Sequence, residues 1–449
     1  MASILQFIVN TCNVTMHKGS HWKEQMSYYR FWKNERVTES GLAALAAGHC
    51  VEQCAGIDHI LLLEDTTELN LERHRGRIRD TAGLGVTGND KDLGFFCHPS
   101  LAVNAAEGSL LGALDIHLWH RPQDKQNKTQ RNYRRLPIEE KESYRWAERA
   151  VESGKKLAGG HRLTVVQDRE GDIYESLSLL MAQGLDFVIR CRHDRKLAFP
   201  GGRLVEHIGS LSTGHEYELE VRGENRQRKK RKAQMKVRYG KVGLLRPLKT
   251  VDSDKYPPQV ELYVVHVKEK EESVPAGEDP VEWTLYTTHR VGCPTDALQI
   301  VRYYTLRWII EALFRTVKSE GVDYESSELE SGMALRKLFV MALMAAIQIL
   351  QLRQARSGQT AQRASLVFSQ EQIACMEDLQ PRLEGRTDKQ KNPFDKNNLA
   401  WAAWTIARLG GWTGYTSQRP PGVIILHDGW IKFQNLFQGW AIAKDVYKR

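Results

Sequence analysis

RLTVVQDREGDIYESLSLLMAQG, running from Arg162 to Gly184, is the stretch whose reading settles the fold class. Its first six residues are β-branched and apolar enough for a strand ending at Gln167; Asp168 then enters a charged turn, and a helix follows from about Asp172. LDFVIRCRHDR (185–195) returns as another strand. Upstream, HILLLEDTTELN (59–70) is a fully apolar strand that runs into Glu64 and Asp65. SLLGALDIHLWHRP (109–122) is a second long strand candidate, and EEKESYRWAERAVESGKKLA (139–158) has helical periodicity. Strands alternating with helices in this order predict an α/β fold.

Outside that centre the texture changes twice. Between about 195 and 290, EYELEVRG, MKVRY, QVELYVVHVKE and EWTLYTT alternate or are β-branched, separated by Gly, Pro and charged turns. This predicts an inserted β-rich module. The chain then turns helical, first over Thr295 to Lys318 and afterwards in 333–355, 397–411 and 429–446. The apolar faces of these last helices are broad, which fits either a partner surface or the core of a helical domain. Residues 1 to about 50 also look helical, with VTESGLAALAAG (37–48) reading as a short capped helix.

Composition narrows the class of partner. With 449 residues the chain can hold about three domains, and 41% hydrophobic with 27% charged residues is the balance of a globular protein. The longest apolar run, Leu338 to Leu350, is interrupted by Gln348 and is too short to span a bilayer. The start, MASILQFIVNTCNV, lacks the basic region of a secretory signal. Seven scattered cysteines make no disulfide framework, which points to a reducing cytoplasm, and His49, Cys50 and Cys54 lack the second pair that a zinc site needs. A net charge of +9 tilts toward polyanions, and RQRKKRKAQMKVR (226–238) packs eight basic residues into thirteen. That run fits a solvated surface loop or a set of phosphate contacts equally well.

The chemistry-bearing residues fall at strand ends and on one helix. Asp65 follows ILLL and Asp168 follows LTVVQ, positions where a turn exposes a side chain while the sheet fixes it. In YTLRWIIEALFRTVK (304–318), Tyr304, Arg307, Glu311 and Lys318 share an arc of about 60° on a helical wheel. Leu306, Ile309, Ile310, Leu313 and Val317 form the opposite, core-facing stripe. The polar stripe fits a solvated face with an incidental Arg307–Glu311 pair, or one wall of a site. If Glu311 approaches the sheet, three carboxylates become available, with Glu64, Glu170 and Asp172 as rivals. Three hard oxygen ligands suit Mg²⁺, or Mn²⁺ in its place. Two such ions would activate a water or a 3′-hydroxyl for in-line phosphoryl transfer.

These motifs together resemble the insertion-sequence-four family of DDE transposases. The order Tyr304, Arg307, Glu311, Lys318 is similar to the family's YREK motif at all four positions, and LEDTT (63–67) and DREGDI (168–173) resemble its two aspartate motifs. The likeness runs on through FVIRCRH (187–193), EWTLYTT (282–288) and AWAAWTIARLGG (400–411). It implies a ribonuclease-H-like catalytic core interrupted by a β-rich insertion, with a helical N-terminal segment and a helical C-terminal domain. The implied boundaries are 1–50 for a shortened DNA-binding segment, 51–195 and 291–357 for the core, 196–290 for the insertion and 358–449 for dimerisation.

By the same resemblance Asp65, Asp168 and Glu311 hold two Mg²⁺ ions, while Tyr304, Arg307, Lys318 and Arg190 hold DNA phosphates. Trp283 is then an exposed platform for a flipped base, and Trp308 a further DNA contact. The implied activity is cut-and-paste transposition by a homodimer that acts on transposon-end and target DNA, in a bacterial cytoplasm and close to the nucleoid, with no membrane partner. Sixty-four residues precede Asp65, fewer than the resemblance suggests, so part of the end-reading module would be shortened or rebuilt. The alternatives are a non-catalytic, inhibitory DNA-binding relative and a ribonuclease-H-like nuclease that does not join strands.

Overall fold

The computed structural model describes residues 22–122, 135–157, 159–221, 230–320, 322–415 and 419–447. In chain order these form α1 (Trp22–Lys33), α2 (Glu39–Cys54), β1 (His59–Glu64), β2 (Thr67–Asn70), β3 (Gly85–Val86), β4 (Leu93–Asn104) and β5 (Leu110–Trp119). Next come α3 (Arg145–Lys156), β6 (Arg162–Gln167), α4 (Tyr174–Ala182), β7 (Asp186–Arg190), β8 (Leu197–Phe199) and α5 (Leu204–Ser210). Strands β9 (His215–Val221), β10 (Arg231–Leu245), β11 (Gln259–Glu269) and β12 (Glu282–Thr287) follow. The rest is helical: α6 (Pro294–Leu306), α7 (Trp308–Lys318), α8 (Gly332–Ala355), α9 (Gln370–Leu383), α10 (Leu399–Leu409) and α11 (Val423–Tyr447). The fold is mixed α/β, and most of its strand pairs are antiparallel.

The chain divides into two compact units: Ile57–Asp65 with Gln126–Trp308, and Met1–Gly56 with Thr66–Lys125 and Ile309–Arg449. In the first, β1, β6 and β7 run parallel, with Leu62 opposite Val165 and Val166 opposite Val188. Ile60, Leu61, Leu62, Leu63, Val165, Val166, Phe187, Val188 and Ile189 are fully buried, as parallel strands covered on both faces must be. Antiparallel pairing then continues from β7 to β12, β11, β10 and β8, with β9 also on β10. The expected insertion is therefore an extension of the same sheet rather than a separate module, because Leu285 of β12 pairs with Arg190 of β7. It also contains a short helix, α5.

The basic run resolves into two parts. Residues 226–229 lie outside the described residues. From Arg231 onward the run is strand β10: Arg231 forks onto Glu269, at 2.8 Å, and Glu278, while Lys232 pairs with Glu218. Acidic neighbours thus take up part of the run's charge, at Arg231 and Lys232.

The second unit packs α2 and α8 against the β4–β5 hairpin. Thr38 caps α2 by accepting from the Gly41 N–H, as VTESGLAALAAG predicts, but the helix continues to Cys54. Helix α8 is 24 residues long and apolar enough to cross a membrane, yet 83% of its most apolar window is buried inside the protein. Its polar residues tie down other segments: Arg336 donates two 2.5 Å bonds to Glu39, Lys337 reaches the Trp32 and Asn34 carbonyls, and Gln351 bonds the Leu110 and Leu111 carbonyls. Helix α10 is core throughout most of its length. Helix α11 buries Leu426, Trp430 and Phe433 but exposes Ile424, Leu436, Ile442 and Val446.

The segment expected as one helix from Thr295 to Lys318 is two. Helix α6 ends at Leu306 and α7 begins at Trp308, with the Arg307 N–H bonded to the Tyr304 carbonyl in a tightened turn. The division between the units falls at the start of α7, so Tyr304 and Arg307 belong to the unit of the parallel strands, and Glu311 and Lys318 to the other.

Candidate active site

Strands β1 and β6 end side by side, and the residue after each is an aspartate. The register pairs Leu63 with Val166, so Asp65 and Asp168 leave the sheet from its same edge. Two devices hold this edge. Buried Gln167 donates one amide proton to Glu64 Oε2 at 2.7 Å and another to the Trp146 carbonyl at 2.8 Å, tying β6 to β1 and α3. Gly171, in the turn after Asp168, presses against that same glutamine: a Cβ there would sit 2.2 Å from Gln167 Oε1. Glu64 is thereby a buried strut and Glu170 is exposed, which separates both from Asp65 and Asp168.

Three arms converge on the aspartates from later in the chain. Arg307 Nη1 donates to Asp65 Oδ2 at 2.9 Å, and its Nη2 lies 3.8 Å from Asp168 Oδ2. The Tyr304 hydroxyl donates to Asp168 Oδ1 at 3.1 Å, and Arg190 Nη1 lies 3.7 Å from the same oxygen. Burial pushes the Asp168 carboxyl up, but the charges of Arg307 and Arg190, the Arg169 N–H and the Tyr304 hydroxyl outweigh it and hold the group below the usual carboxylate range. The same burial, with the Asp168 charge beside it, pushes the Tyr304 phenol up to about 12, so it stays a proton donor at neutral pH.

Tyr304 and Arg307 are 2% and 5% exposed, so this part of the polar stripe is not a solvated face. Trp283 packs edge-on against the Tyr304 ring, centroids 5.4 Å apart, and is 8% exposed, so the expected exposed platform is a buried indole. Trp308 is half-buried at the start of α7. In the other unit Lys318 donates to the Glu68 carbonyl at 2.6 Å, and burial lowers its pKa against the opposing pull of Glu325 and Glu68. Glu311 is half-buried on α7.

Asp172, a sequence rival for a ligand position, is committed elsewhere. It is fully buried and takes Arg195 Nη2 at 2.5 Å and Nε at 3.0 Å on Oδ1, and the Arg192 and His193 N–H groups at 2.7 and 3.0 Å on Oδ2. It thereby pins the loop that leaves β7 immediately after Arg190. Neither Arg195 nor Gln167 stands out in the sequence, because a charged residue after a strand and an amide at a strand end are common in turns.

Among the described residues, no three His, Cys, Asp or Glu side chains are grouped to hold a metal ion. The pair Asp65 and Asp168 still fits a hard divalent cation: it offers carboxylate oxygens from two neighbouring strand ends already gathered around positive charge, and Mg²⁺ is commonly held by one or two carboxylates plus substrate phosphates. Cys50 and Cys54 are sealed inside the fold, and His49 Nε2 approaches the Leu366 carbonyl. No protein-family model matches the chain.

Proposed function

We propose that this protein is a DDE-type transposase, a metal-dependent phosphoryl transferase that cuts transposon ends through a hairpin and joins their 3′-hydroxyls to target DNA. The observation that supports this best is the meeting of residues from four separate motifs at one point. Asp65 of LEDTT, Asp168 of DREGDI, Arg190 of FVIRCRH, and Tyr304 and Arg307 of the YREK segment lie within one cluster of hydrogen bonds and ion pairs. The parallel β1–β6–β7 arrangement is compatible with a ribonuclease-H-like core.

In this reading Asp65 and Asp168 hold Mg²⁺ or Mn²⁺, with Glu311 as the third carboxylate. Bound there, the ions supply Lewis acidity toward a phosphoryl oxygen and activate a water or 3′-hydroxyl. The protein's own residues do the positioning. Arg307 and Arg190 offer planar forks suited to phosphate oxygens, Lys318 a point charge, and Tyr304 a hydroxyl that remains protonated. Trp308 is the aromatic contact for an unstacked base, while Trp283 packs behind Tyr304. The reading includes a homodimer that brings two DNA ends together.

The test uses purified protein, Mg²⁺ and DNA bearing the inverted repeats that flank the coding sequence. Wild type should give nicks, hairpins and strand-transfer products. Asp65→Asn, Asp168→Asn and Glu311→Gln should each abolish all three while leaving DNA binding largely intact. Cleavage that survives any one substitution removes that residue from the site, and an inactive wild type that still binds the ends favours an inhibitory DNA-binding relative.

A further inference from the structure

Arg307 faces the carboxylates rather than open solvent. Its side chain is 6% exposed, and its two terminal nitrogens address Oδ2 of Asp65 and Oδ2 of Asp168, at 2.9 and 3.8 Å. A planar guanidinium is the one side chain whose fork can satisfy two carboxylates at once. The need for it is electrostatic: two carboxylates brought together at the ends of neighbouring strands repel each other unless a cation lies between them. Arg190 and Tyr304 reinforce the arrangement at Asp168.

A divalent ion held here would draw on the same two carboxylates. A dication entering this pair meets the like charge of the guanidinium, so the two compete for the carboxylates. We infer that Arg307 is a built-in counter-cation that holds the Asp65–Asp168 pair assembled, competes with the divalent ion for it, and is released toward a nucleic-acid phosphate when the ion enters. This inference rests on the reading of Asp65 and Asp168 as metal ligands. It assigns Arg307 two successive partners of the same geometry, first carboxylate and then phosphate, and makes metal entry the event that frees a phosphate-binding fork. It also predicts weak metal binding until DNA supplies the second partner, so that the site stays guarded in the absence of substrate.

Mn²⁺ binding to the full chain without DNA, followed by the loss of the free-ion electron paramagnetic resonance signal, tests the competition directly. Arg307→Met should bind Mn²⁺ at least tenfold more tightly than wild type, with Arg307→Lys between them. Asp65→Asn and Asp168→Asn should lose the binding in either background. A second measurement needs no change at Arg307: mass-spectrometric mapping with an arginine-directed dicarbonyl reagent. Arg307 should be protected in chelator and become modified when Mg²⁺ is added to wild type, but not when it is added to Asp168→Asn.

Unchanged or weaker Mn²⁺ affinity in Arg307→Met, with binding still abolished by Asp65→Asn, overturns the counter-cation role and leaves the metal site standing. Arg307 that remains protected in wild type while Mn²⁺ binds does the same. Mn²⁺ binding that is indifferent to Asp65→Asn and Asp168→Asn overturns the metal site itself, and the inference with it.

Discussion

Replacing Asp172 by alanine isolates how the loop after β7 is held. The carboxylate is fully buried and its partner Arg195 is 9% exposed. Arg195 also donates to the Asp172 carbonyl at 2.9 Å, and the Arg192 and His193 amides end on Oδ2. Truncation leaves a desolvated guanidinium and two backbone N–H groups without their acceptor, a loss of about 3–5 kcal/mol. At about 1.4 kcal/mol per tenfold, local opening of residues 191–195 should become two to three and a half orders of magnitude more frequent. The assay is amide hydrogen exchange at Arg192 and His193 under native conditions.

A double replacement, Asp172→Leu with Arg195→Met, removes both charges together and should restore most of the stability, since apolar substitutes of similar volume are often neutral for a buried pair. Exchange within about threefold of wild type in Asp172→Ala would refute the reasoning, because so small a change corresponds to under about 1 kcal/mol. So would a double variant as damaged as the single one, since that would show the loss to be one of shape rather than of unpaired charge.

Three further expectations concern the same unit. Gly171→Ala should cost about 1–3 kcal/mol, because its Cβ would displace the side chain of Gln167 and with it the amide bonded to Glu64; a thermal midpoint equal to wild type would speak against this. Trp283→Ala should lose about 3–5 kcal/mol through the cavity left beside Tyr304, and Trp283→Phe much less; similar midpoints for both would show an indole that contributes little packing. His289 accepts from Arg162 Nη2 at 2.9 Å and meets Thr164 Oγ1 at 2.8 Å; burial pushes it down to about 4, Asp186 opposes this, and Arg162 and His59 add to it. Its unfolded value is about 6.5, so between about pH 6.5 and 4 the unfolded chain binds a proton that the native state resists, and stability falls as pH is lowered through that window. His289→Gln should flatten the fall in thermal midpoint across that range, and identical slopes would remove His289 as its source.

Much of this arrangement is legible in the sequence for a local reason. The runs ILLL and LTVV are short and apolar, so strands that break at Asp65 and Asp168 follow from composition alone, and the strand–turn–helix–strand order follows with them. What composition could not show is pairing at long range. Strand β4, LGFFCHPSLAVN, carries Pro99 and alternates poorly, yet all but its last residue are buried, because β2, β3 and β5 pair along it. The insertion reads as a module of its own until Leu285 is found opposite Arg190.

The helical wheel of 304–318 shows the same limit at the site. It orders Tyr304, Arg307, Glu311 and Lys318 on one arc, but a wheel is a local construction and carries no information about what lies opposite. Arg307 is buried because its partner Asp65 lies 242 positions earlier, and Tyr304 because its partner Asp168 lies 136 earlier. Solvated stripes and charge-lined walls have the same periodicity. They differ in whether carboxylates wait at the end of a neighbouring strand, and here the turn at Arg307, which ends α6 one residue before α7 begins, brings the guanidinium to them.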